Sequence, residues 1–403
     1  MDPSISICQT EDTLAMTDKQ WQDHFYGQKA PEAFSMQAIG INVNIQTSDE
    51  KNIPPVYCDI AKYQELEKLK LNYETKGRNE EKAFIRARNV ANPFENIGRS
   101  IFINRAAVKL GNIDAVYGIS GSINSLGAMQ QDKYQLRYVD IAGGPGAFTE
   151  YFQWRVKKCS GWGISLENAD APKHLWWDRQ KLDLTRFEIV TGDTGTGDLY
   201  VNWESFVRVV RASNVEGVNV AVGDGGFEME KPEDFSRQEF LSARLIMVEL
   251  ATAISVLAIG GKLVLKIFDT VTSLSAQILY LAACCFDKIS LFKPMSSRPA
   301  NSERYLVAEG RRANVDPYID LMRKANLSHK DGKNVTQLFV LEKGPFTAWL
   351  TRLNDWSINN QLHYGRRTVD ALKGKKIEKE TYDLSRALVL WTLPDNRSPI
   401  LKF

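Results

Sequence analysis

The chain has 403 residues, of which 43% are hydrophobic and 25% are charged. This length is enough for one large α/β domain with additions or for two domains, and the composition can fill a sizeable core. Lysine and arginine together number 51 against 49 aspartates and glutamates, so the formal net charge is only +2. The charge therefore neither requires nor excludes a nucleic-acid partner, and any basic surface has to be local.

The cysteine, histidine and apolar patterns argue against several classes of protein. The five cysteines form no C-x-x-C pair and the four histidines are scattered, so we expect no metal site and a reducing compartment. The polar N-terminus is unlike a secretory signal, and the most apolar window, at 250–261, is too short to span a bilayer. We expect a soluble, intracellular protein. Nucleus or cytoplasm stays open, because the basic stretch at 372–379 is short.

Composition divides the chain into three parts. Residues 1–80 are polar and rich in charge, include a helical stretch at 63–76, and are predicted to form an N-terminal extension outside the main sheet. Residues 81–312 contain most of the short apolar runs and the amphipathic segments between them. Residues 313–403 form a further helical and aromatic region. We therefore expect a central domain with additions at both ends.

The central part has the pattern of an α/β fold. Amphipathic stretches at 239–258 and 273–285 are predicted helices that separate apolar runs. Strands that alternate with helices favour a mostly parallel sheet with helices on both faces. The seven predicted strands are 138–142, 161–166, 187–191, 218–223, 262–268, 287–292 and 304–310.

A glycine-rich turn, D-I-A-G-G-P-G-A-F-T-E-Y at 140–151, joins the first of these strands to a helix. Glycine lets the backbone approach a ligand closely, and the free N–H groups of the helix can bind a phosphate or a carboxylate. Glu167 ends the next strand about 20 residues later, near the position of a ribose-binding acid in such folds. A tight turn without a ligand would fit the same residues. The spacing is not G-x-G-x-x-G, which disfavours a nicotinamide cofactor, and the chain has no P-loop motif.

Two charged residues occupy unusual positions at predicted strands. Lys266 interrupts the apolar strand LVLKIF, where a buried ammonium needs a carboxylate partner unless it reaches solvent at a sheet edge. Asp224 follows VNVAVG, at the edge that carries ligands in open α/β sheets. An ordinary turn aspartate beside two glycines would look the same.

Two further charges complete a possible cluster. Glu303 precedes the last predicted strand and would also fit a surface glutamate paired with Arg304. Lys109 shares one face of a predicted helix with Arg105, and that face could simply be solvated. Taken together, two lysines and two carboxylates could neutralise one another in one pocket, which is how perturbed pKa values arise.

The segments that carry these residues resemble the FtsJ-like ribose 2′-O-methyltransferases. More closely, they are similar to the eukaryotic cap-specific mRNA 2′-O-methyltransferases that form cap-1. The resemblance covers roughly residues 86–312, with the motifs in the same order and at similar spacing. The segments are FINRAAVK, DIAGGPGAFTEYFQWR, GDGGF, GGKLVLKIFD and LFKPMSSRPANSERY.

The resemblance implies a Rossmann-like, S-adenosylmethionine-dependent methyltransferase fold over residues 81–312. It implies a catalytic tetrad of Lys109, Asp224, Lys266 and Glu303. One departure is Ala147, where relatives often carry glycine. The residues implied to bind the cofactor are Asn104, Ala142, Gly143, Gly144, Pro145, Gly146, Ala147, Phe148 and Asp198.

The implied partner is capped RNA, with neither DNA nor a membrane. A ribose 2′-hydroxyl distinguishes RNA from DNA, and the positive charge of 7-methylguanine suits an acidic group such as Glu233 and a π surface. The residues implied to touch the cap are Arg88, Glu233, Asp234, Ser236 and Arg298. Phosphates would meet Arg88, Lys293, Arg298, Arg304, Arg311 and Arg312.

The resulting hypothesis is methylation of the first transcribed nucleotide of capped mRNA. Lys266 would act as the base or as the principal orienting group, and Lys109 would fix the 2′-oxygen or the adjoining phosphate. The direction of the pKa shift of Lys266 stays open, because Lys109 lowers this pKa while Asp224 and Glu303 raise it. The alternatives are the second nucleotide, ribosomal or transfer RNA as substrate, an inactive RNA-binding scaffold, and a nicotinamide-linked oxidoreductase.

Overall fold

The computed structural model describes most of the chain. The described residues are 32–36, 40–49, 53–73, 78–121, 135–168, 172–227, 237–329, 333–377 and 383–394. Among them, no helix has both the length and the apolar character needed to cross a membrane.

A seven-stranded sheet forms the centre of the molecule, in the order β4-β3-β2-β5-β6-β8-β7. The first five strands of that order run parallel, and β8 runs antiparallel to both of its neighbours. The strands are β2 (Leu136–Ile141), β3 (Cys159–Ile164), β4 (Phe187–Ile189), β5 (Val218–Gly223), β6 (Leu257–Ile267), β7 (Phe286–Phe292) and β8 (Arg304–Arg311). Each overlaps one of the seven predicted runs, although β6 begins five residues earlier than predicted, and the predicted α/β, mostly parallel, Rossmann-like fold is confirmed.

Ten helices surround the sheet in the described part of the chain. Two of them, α6 and α7, match the predicted helices at 239–258 and 273–285 within two residues. The helices are α1 (Ile60–Lys70), α2 (Arg78–Ala91), α3 (Arg105–Tyr117), α4 (Ala147–Arg155), α5 (Leu199–Ser213), α6 (Gln238–Val256), α7 (Ser273–Cys285), α8 (Asp316–Ser328), α9 (Pro345–Leu372) and α10 (Leu384–Leu390).

The core has two halves, one on each face of the sheet. Val139 and Ile141 of β2 point to the face covered by α5, α6 and α7, whereas Leu136 and Tyr138 point to the face covered by α3 and α4. The central strands are therefore apolar on both sides, which explains why they appear in the sequence as nearly continuous apolar runs. Helices cover both faces, as predicted.

One segment from each of the two additions pairs in a separate small sheet. The strand β1 (Val43–Ser48) pairs antiparallel with β9 (Asn334–Phe339). The long helix α9 packs against both α1 and α2. The predicted helix at 63–76 begins earlier, at Ile60, because Asp59 caps it, and it ends at Lys70 before a short 3-10 turn, Leu71–Tyr73. The sequence did not predict that the two terminal parts pair with each other.

Candidate active site

The carboxyl ends of the central parallel strands meet at one edge of the large sheet. The last residue of β5 pairs with the residue before Lys266, which places Asp224 beside Lys266. Lys266 in turn pairs with Tyr305 of β8. Opposite residues in a sheet share a face, and so do residues two apart along a strand. Glu303, two residues before Tyr305, is therefore brought to the same face as Lys266.

The ammonium group of Lys266 is held by Asp224. Its Nζ donates a hydrogen bond of 2.6 Å to the backbone oxygen of Asp224 and lies 3.3 Å from the carboxylate Oδ1. The hydroxyl of Tyr305 donates to the same Oδ1 at 2.8 Å. The side chain of Lys266 is only 12% exposed, since β6 lies inside the sheet between β5 and β8. The alternative of a lysine reaching solvent at a sheet edge is therefore wrong.

Lys109 and Glu303 form a second ion pair. The Nζ of Lys109 lies 2.7 and 2.8 Å from the two carboxylate oxygens of Glu303. The helix that carries Lys109, α3, is capped by Asn104, whose side chain accepts a hydrogen bond of 2.8 Å from the second N–H of the helix. The hydroxyl of Ser297 donates to Glu303 at 2.7 Å. Glu303 is thus paired with Lys109 rather than with Arg304, and the two surface alternatives are wrong.

The two ion pairs influence each other electrostatically. Burial lowers the pKa of Lys266, but the carboxylates of Asp224 and Glu303 outweigh burial and leave this pKa above its ordinary value. Burial raises the pKa of Glu303, and the charges of Lys109, Lys266 and Lys293 then bring it well below its ordinary value. At neutral pH, Lys266 is therefore an ammonium and Glu303 a carboxylate. Hereafter, the tetrad means Lys109, Asp224, Lys266 and Glu303.

The glycine-rich turn lies between β2 and α4. Gly146 has a φ of +105° and Ala142 a φ of +52°, so the chain reverses tightly before α4 begins. Beneath the turn, Asp140 accepts hydrogen bonds of 3.2 and 2.7 Å from the N–H and the hydroxyl of Thr149. Its other oxygen, Oδ1, is buried with no hydrogen-bond partner among the described residues. Burial raises the pKa of Asp140 to about 7.

This turn contacts the segment that follows β5. A side-chain carbon added to Gly225 would lie 2.9 Å from the Cβ of Ala142 and 2.4 Å from Oε1 of Glu249. A side-chain carbon added to Gly226 would lie 3.2 Å from the Nζ of Lys266. Glycine at these two positions lets the two turns approach each other and leaves space beside the Lys266 ammonium.

The other predicted cofactor residues have structural roles of their own. Asp198 caps α5, with its Oδ1 accepting a backbone N–H at 2.9 Å. The side chains of Ala147 and Phe148 are buried in the core, so only their backbone can face a ligand. Glu167 forms a two-pronged ion pair with Arg179 at 2.8 and 2.7 Å. No group of three His, Cys, Asp or Glu side chains in the described ranges is placed to hold a metal ion.

Comparison with known protein families agrees with this arrangement. The pattern that defines the FtsJ-like methyltransferases matches residues 102–311, which is more than half of the chain. This chain belongs to the FtsJ-like methyltransferase family. The matched region contains all four tetrad residues and the glycine-rich turn. The family resemblance expected from the sequence motifs is confirmed.

Several curated relatives align beyond that region. A protein of Ailuropoda melanoleuca, named cap-specific mRNA (nucleoside-2′-O-)-methyltransferase 1, is 33% identical over 338 residues, covering 77% of this chain and 39% of its own. A Drosophila melanogaster protein of the same name is 32% identical over 359 residues, covering 84% of this chain and 44% of its own. The human protein of this name is 32% identical over 338 residues. The FtsJ-like chain thus spans about two fifths of the length of these relatives.

Two arginines of the FtsJ-like chain pair with Glu95, and a third, Arg88, feels their charges. Arg105 lies 2.8 Å and Arg298 3.2 Å from its Oε1. Burial raises the pKa of Glu95, but the hydrogen bonds from Arg298 and Arg105 outweigh burial and lower it to about 2. The pKa of Arg88 is lowered by burial and by the charge of Arg298, and its Nε has no hydrogen-bond partner among the described residues. Two predicted cap residues, Arg88 and Arg298, are therefore brought close together.

Other predicted RNA contacts are not brought to this place. Arg304 is 1% exposed, so the prediction that it contacts phosphate is wrong. Arg311 and Arg312 lie at the opposite end of β8 from the tetrad, where Arg312 pairs with Asp287 at 3.1 Å. Eight residues of strand separate the two ends by about 25 Å. The remaining predicted cap residues lie outside the described part of the chain; they are Glu233, Asp234 and Ser236.

Sequence reasoning missed three residues around the tetrad. Tyr305 and Ser297 hold Asp224 and Glu303 by the hydrogen bonds given above. Glu249 of α6 lies fully buried beneath Gly225, and burial raises its pKa to about 8. The two-residue spacing from Glu303 could have indicated Tyr305, because alternate strand residues share a face. Nothing in the sequence indicates which face of the long apolar helix α6 lies under the site.

Lys293 has a role different from the one predicted. It was expected to meet phosphate, but its Nζ donates to the backbone oxygens of Asn301 and Glu303 at 2.8 and 2.7 Å. Burial lowers the pKa of Lys293 to about 7, with Lys109 adding to the effect and Glu303 opposing it. Lys293 therefore fixes the loop that leads into Glu303.

Proposed function

We propose that this protein transfers a methyl group from S-adenosylmethionine to the ribose 2′-hydroxyl of the first transcribed nucleotide of capped mRNA, which converts cap-0 to cap-1. The observation that carries the proposal is the tetrad, with Lys266 and Lys109 in ion pairs with Asp224 and Glu303. The names of the aligned relatives support the same reaction. The support thus comes both from side-chain geometry and from sequence likeness.

The residues of the glycine-rich turn fit S-adenosylmethionine. The start of α4 offers free N–H groups for the cofactor's carboxylate, and Oδ1 of Asp140, which has no partner within the described ranges, suits its amino group. Gly226 leaves room beside Lys266. When bound, the cofactor supplies a methyl group on a sulfonium, which is already an activated leaving group. The residues proposed to hold it are Asn104, Ala142, Gly143, Gly144, Pro145, Gly146, Ala147, Phe148 and Asp198.

The charge state of Lys266 favours an orienting role over that of a base. Because its pKa lies above the ordinary value, its ammonium cannot accept a proton at neutral pH, but it can donate a hydrogen bond to the ribose 2′-oxygen. As that oxygen forms its new bond, its proton becomes strongly acidic, so a carboxylate such as Asp224 suffices to receive it. Much of the rate acceleration then comes from alignment of the 2′-oxygen.

Lys109 and Glu303 complete the cradle for the ribose. Glu303 keeps its charge down to low pH and so favours the ammonium form of Lys266. Lys109, which is paired with Glu303, would fix the 2′-oxygen or the adjoining phosphate. Two cations that meet one oxygen from different sides restrict its position more than either could alone.

The arginine cluster around Glu95 is the proposed contact for the cap. Among the described residues the buried Nε of Arg88 has no partner, and Arg298 is one-third exposed, so both have donors to offer to a triphosphate. The positive charge of 7-methylguanine suits an acidic segment. We propose that this segment is the one containing Glu233, Asp234 and Ser236.

A methylation assay with defined RNAs tests the proposal. With labelled cofactor and cap-0 RNA, nuclease digestion should place the label on the ribose of the first transcribed nucleotide. Matched RNAs with and without the N7-methylated cap should differ in kcat/KM by about tenfold or more, which corresponds to about 1.4 kcal/mol of discrimination. Equal rates on both RNAs would identify a general RNA methyltransferase instead.

The same assay distinguishes the alternative functions. Label on the second nucleotide, or only on ribosomal or transfer RNA, would replace the substrate but keep the chemistry. RNA binding without any methyl transfer would support an inactive scaffold. The complete tetrad argues against that alternative. A nicotinamide nucleotide retained in the purified protein would point to an oxidoreductase.

Replacing Tyr305 with phenylalanine should slow methyl transfer by about tenfold and lower the free energy of unfolding by about 1–2 kcal/mol, because Asp224 loses a partly buried hydrogen bond. Tyr151→Phe is a matched control, since its hydroxyl donates to Asp114 at the same 2.8 Å. The control should lose similar stability in urea unfolding but keep its methyl-transfer rate. Equal rates for both variants would show that Tyr305 has no part in the site.

We also propose that residues 81–312 are the methyltransferase unit and that residues 1–80 and 313–403 are additions to it. The family match at 102–311 supports the extent of the central unit. The pairing of β1 with β9 supports treating the two additions as one layer of structure.

A further inference from the structure

Arg304 follows Glu303 directly but points in the opposite direction. Its guanidinium is 1% exposed and donates to the hydroxyl of Thr270 at 3.0 Å, to Oδ1 of Asn354 at 2.9 Å and to the backbone oxygen of Leu353 at 3.4 Å. In the described part of the chain, these acceptors are all neutral oxygens. A buried cation held in this way depends on every one of its acceptors.

Asn354 of the long helix α9 is the centre of this network. It is 1% exposed, and its Oδ1 accepts from the Thr270 hydroxyl at 2.7 Å as well as from Arg304. Its Nδ2 donates to the backbone oxygens of Thr270 and Tyr57 at 2.8 and 2.9 Å. Both ends of the amide are therefore fully used, and the side chain has a single favourable orientation.

The network joins the two strand ends that carry tetrad residues. Thr270 follows Lys266 by four residues, in the segment after β6, and Arg304 is the first residue of β8. The backbone oxygen of Val271 also accepts from the N–H groups of Val56 and Tyr57, at 2.7 and 2.9 Å. The N-terminal and the C-terminal additions thus both form hydrogen bonds with the segment after Lys266.

We propose that Asn354, together with Thr270, is a positioning residue that fixes the distance between Lys266 and Glu303, so that the C-terminal helix α9 is a working part of the methyl-transfer site. The inference rests on the proposed function. A hydroxyl held between two lysines reacts only in a narrow range of geometry, and a displacement of about 1 Å can cost about 100-fold in rate. The network acts through Arg304, whose neighbour in the chain is Glu303, and through the segment that continues from Lys266.

The test compares Asn354→Ala and the milder Thr270→Val with a control, all in the full chain. Gln277→Ala is the control, because Gln277 is equally buried and also bridges two elements, donating to the backbone oxygen of Phe339 at 2.6 Å and accepting from the N–H of Leu338 at 2.7 Å. Both partners of Gln277 lie on β9, which carries no tetrad residue. The control thus removes a similar buried amide from a different place.

We expect Asn354→Ala to lower kcat on cap-0 RNA about 100-fold and Thr270→Val to lower it about tenfold. The KM for RNA and the Kd for S-adenosylmethionine should stay within about twofold of the wild type in both. Gln277→Ala should keep kcat. Hydrogen exchange should accelerate at 266–272 and 303–306 in the first two variants, and at 334–339 in the control.

Two results would overturn the inference. One is a folded Asn354→Ala or Thr270→Val protein with wild-type kcat, even if its exchange is faster, because the network would then only stabilise the fold. The other is unchanged exchange at both strand ends. A wild-type protein that transfers no methyl group would refute the proposed function, while the exchange measurements would still decide whether the network holds the two strand ends.

Discussion

Lys266→Ala should reduce methyl transfer to cap-0 RNA by at least about 1,000-fold while the Kd for S-adenosylmethionine changes less than about twofold. The physical reason is that the ammonium has two tasks at once. It would orient the ribose oxygen, and it neutralises the carboxylate of Asp224 at 3.3 Å. The Lys266 side chain is only 12% exposed. Removing it leaves an uncompensated carboxylate beside the reacting oxygen. The rate is measured in single turnover with both substrates saturating, and cofactor binding by calorimetry.

Lys262→Ala is the control for that experiment. Lys262 lies on the same strand, four residues before Lys266. Its Nζ donates to the backbone oxygen of Tyr117 at 2.7 Å and lies 3.3 Å from the carboxylate of Glu309. The Lys262→Ala protein should lose some stability and keep the wild-type rate of methyl transfer. A Lys266→Ala protein with turnover close to the wild type would refute the mechanism, whichever RNA is used.

Glu249→Gln should remove one large contribution to the pH dependence of the protein's stability. Burial raises the pKa of Glu249 to about 8, with Lys266 opposing and Asp224 adding to the effect, against an ordinary value of 4.5. For a carboxyl with a raised folded-state pKa, the folded protein holds a proton that the unfolded chain releases between these two values. Stability therefore falls as pH rises from about 4.5 to 8 and levels off above 8. Glutamine has no proton to lose.

The difference in unfolding free energy between Glu249→Gln and wild type should therefore shift in favour of glutamine by roughly 3–5 kcal/mol between pH 5 and pH 9. Urea unfolding at several pH values measures this shift. Asp140, whose pKa is also raised, is present in both proteins and cancels. Glu204→Gln, which removes an exposed ion pair with Arg323, is the control. Parallel stability curves for Glu249→Gln and wild type would contradict the buried, protonated state.

The fold was largely predictable because its elements have local signatures. Strands buried on both faces are short apolar runs, and helices between them have a different period, so all seven central strands could be predicted in place. The turn at 142–148 was predictable for the same reason, since a strand, a glycine cluster and a helix follow one another directly. The position of Asp224 at the ligand-binding edge of the sheet followed from the rule for open α/β sheets, whereas its convergence with Lys266 was implied by the family resemblance.

The errors have a common physical cause. Arg304 was predicted to meet phosphate as one of several local cations, but it is adjacent to Glu303 at the start of a strand, and adjacent strand residues point to opposite faces. Arg311 was counted with the same group although the full length of β8 separates it from the tetrad. The sequence did not show which face each of these side chains points to, or how far the strand separates it from the tetrad.

By itself, the sequence determined what depends on neighbouring residues: the strands, the helices, the glycine-rich turn and the motifs that identify an FtsJ-like methyltransferase. Only the tertiary structure decided which distant groups meet. The hydrogen bond from Asn354 to Tyr57 spans 297 positions of the chain, and no local pattern encodes it. The charge state of Lys266 was also beyond the sequence, because burial and two carboxylates shift its pKa in opposite directions, and only their distances decide which effect is larger.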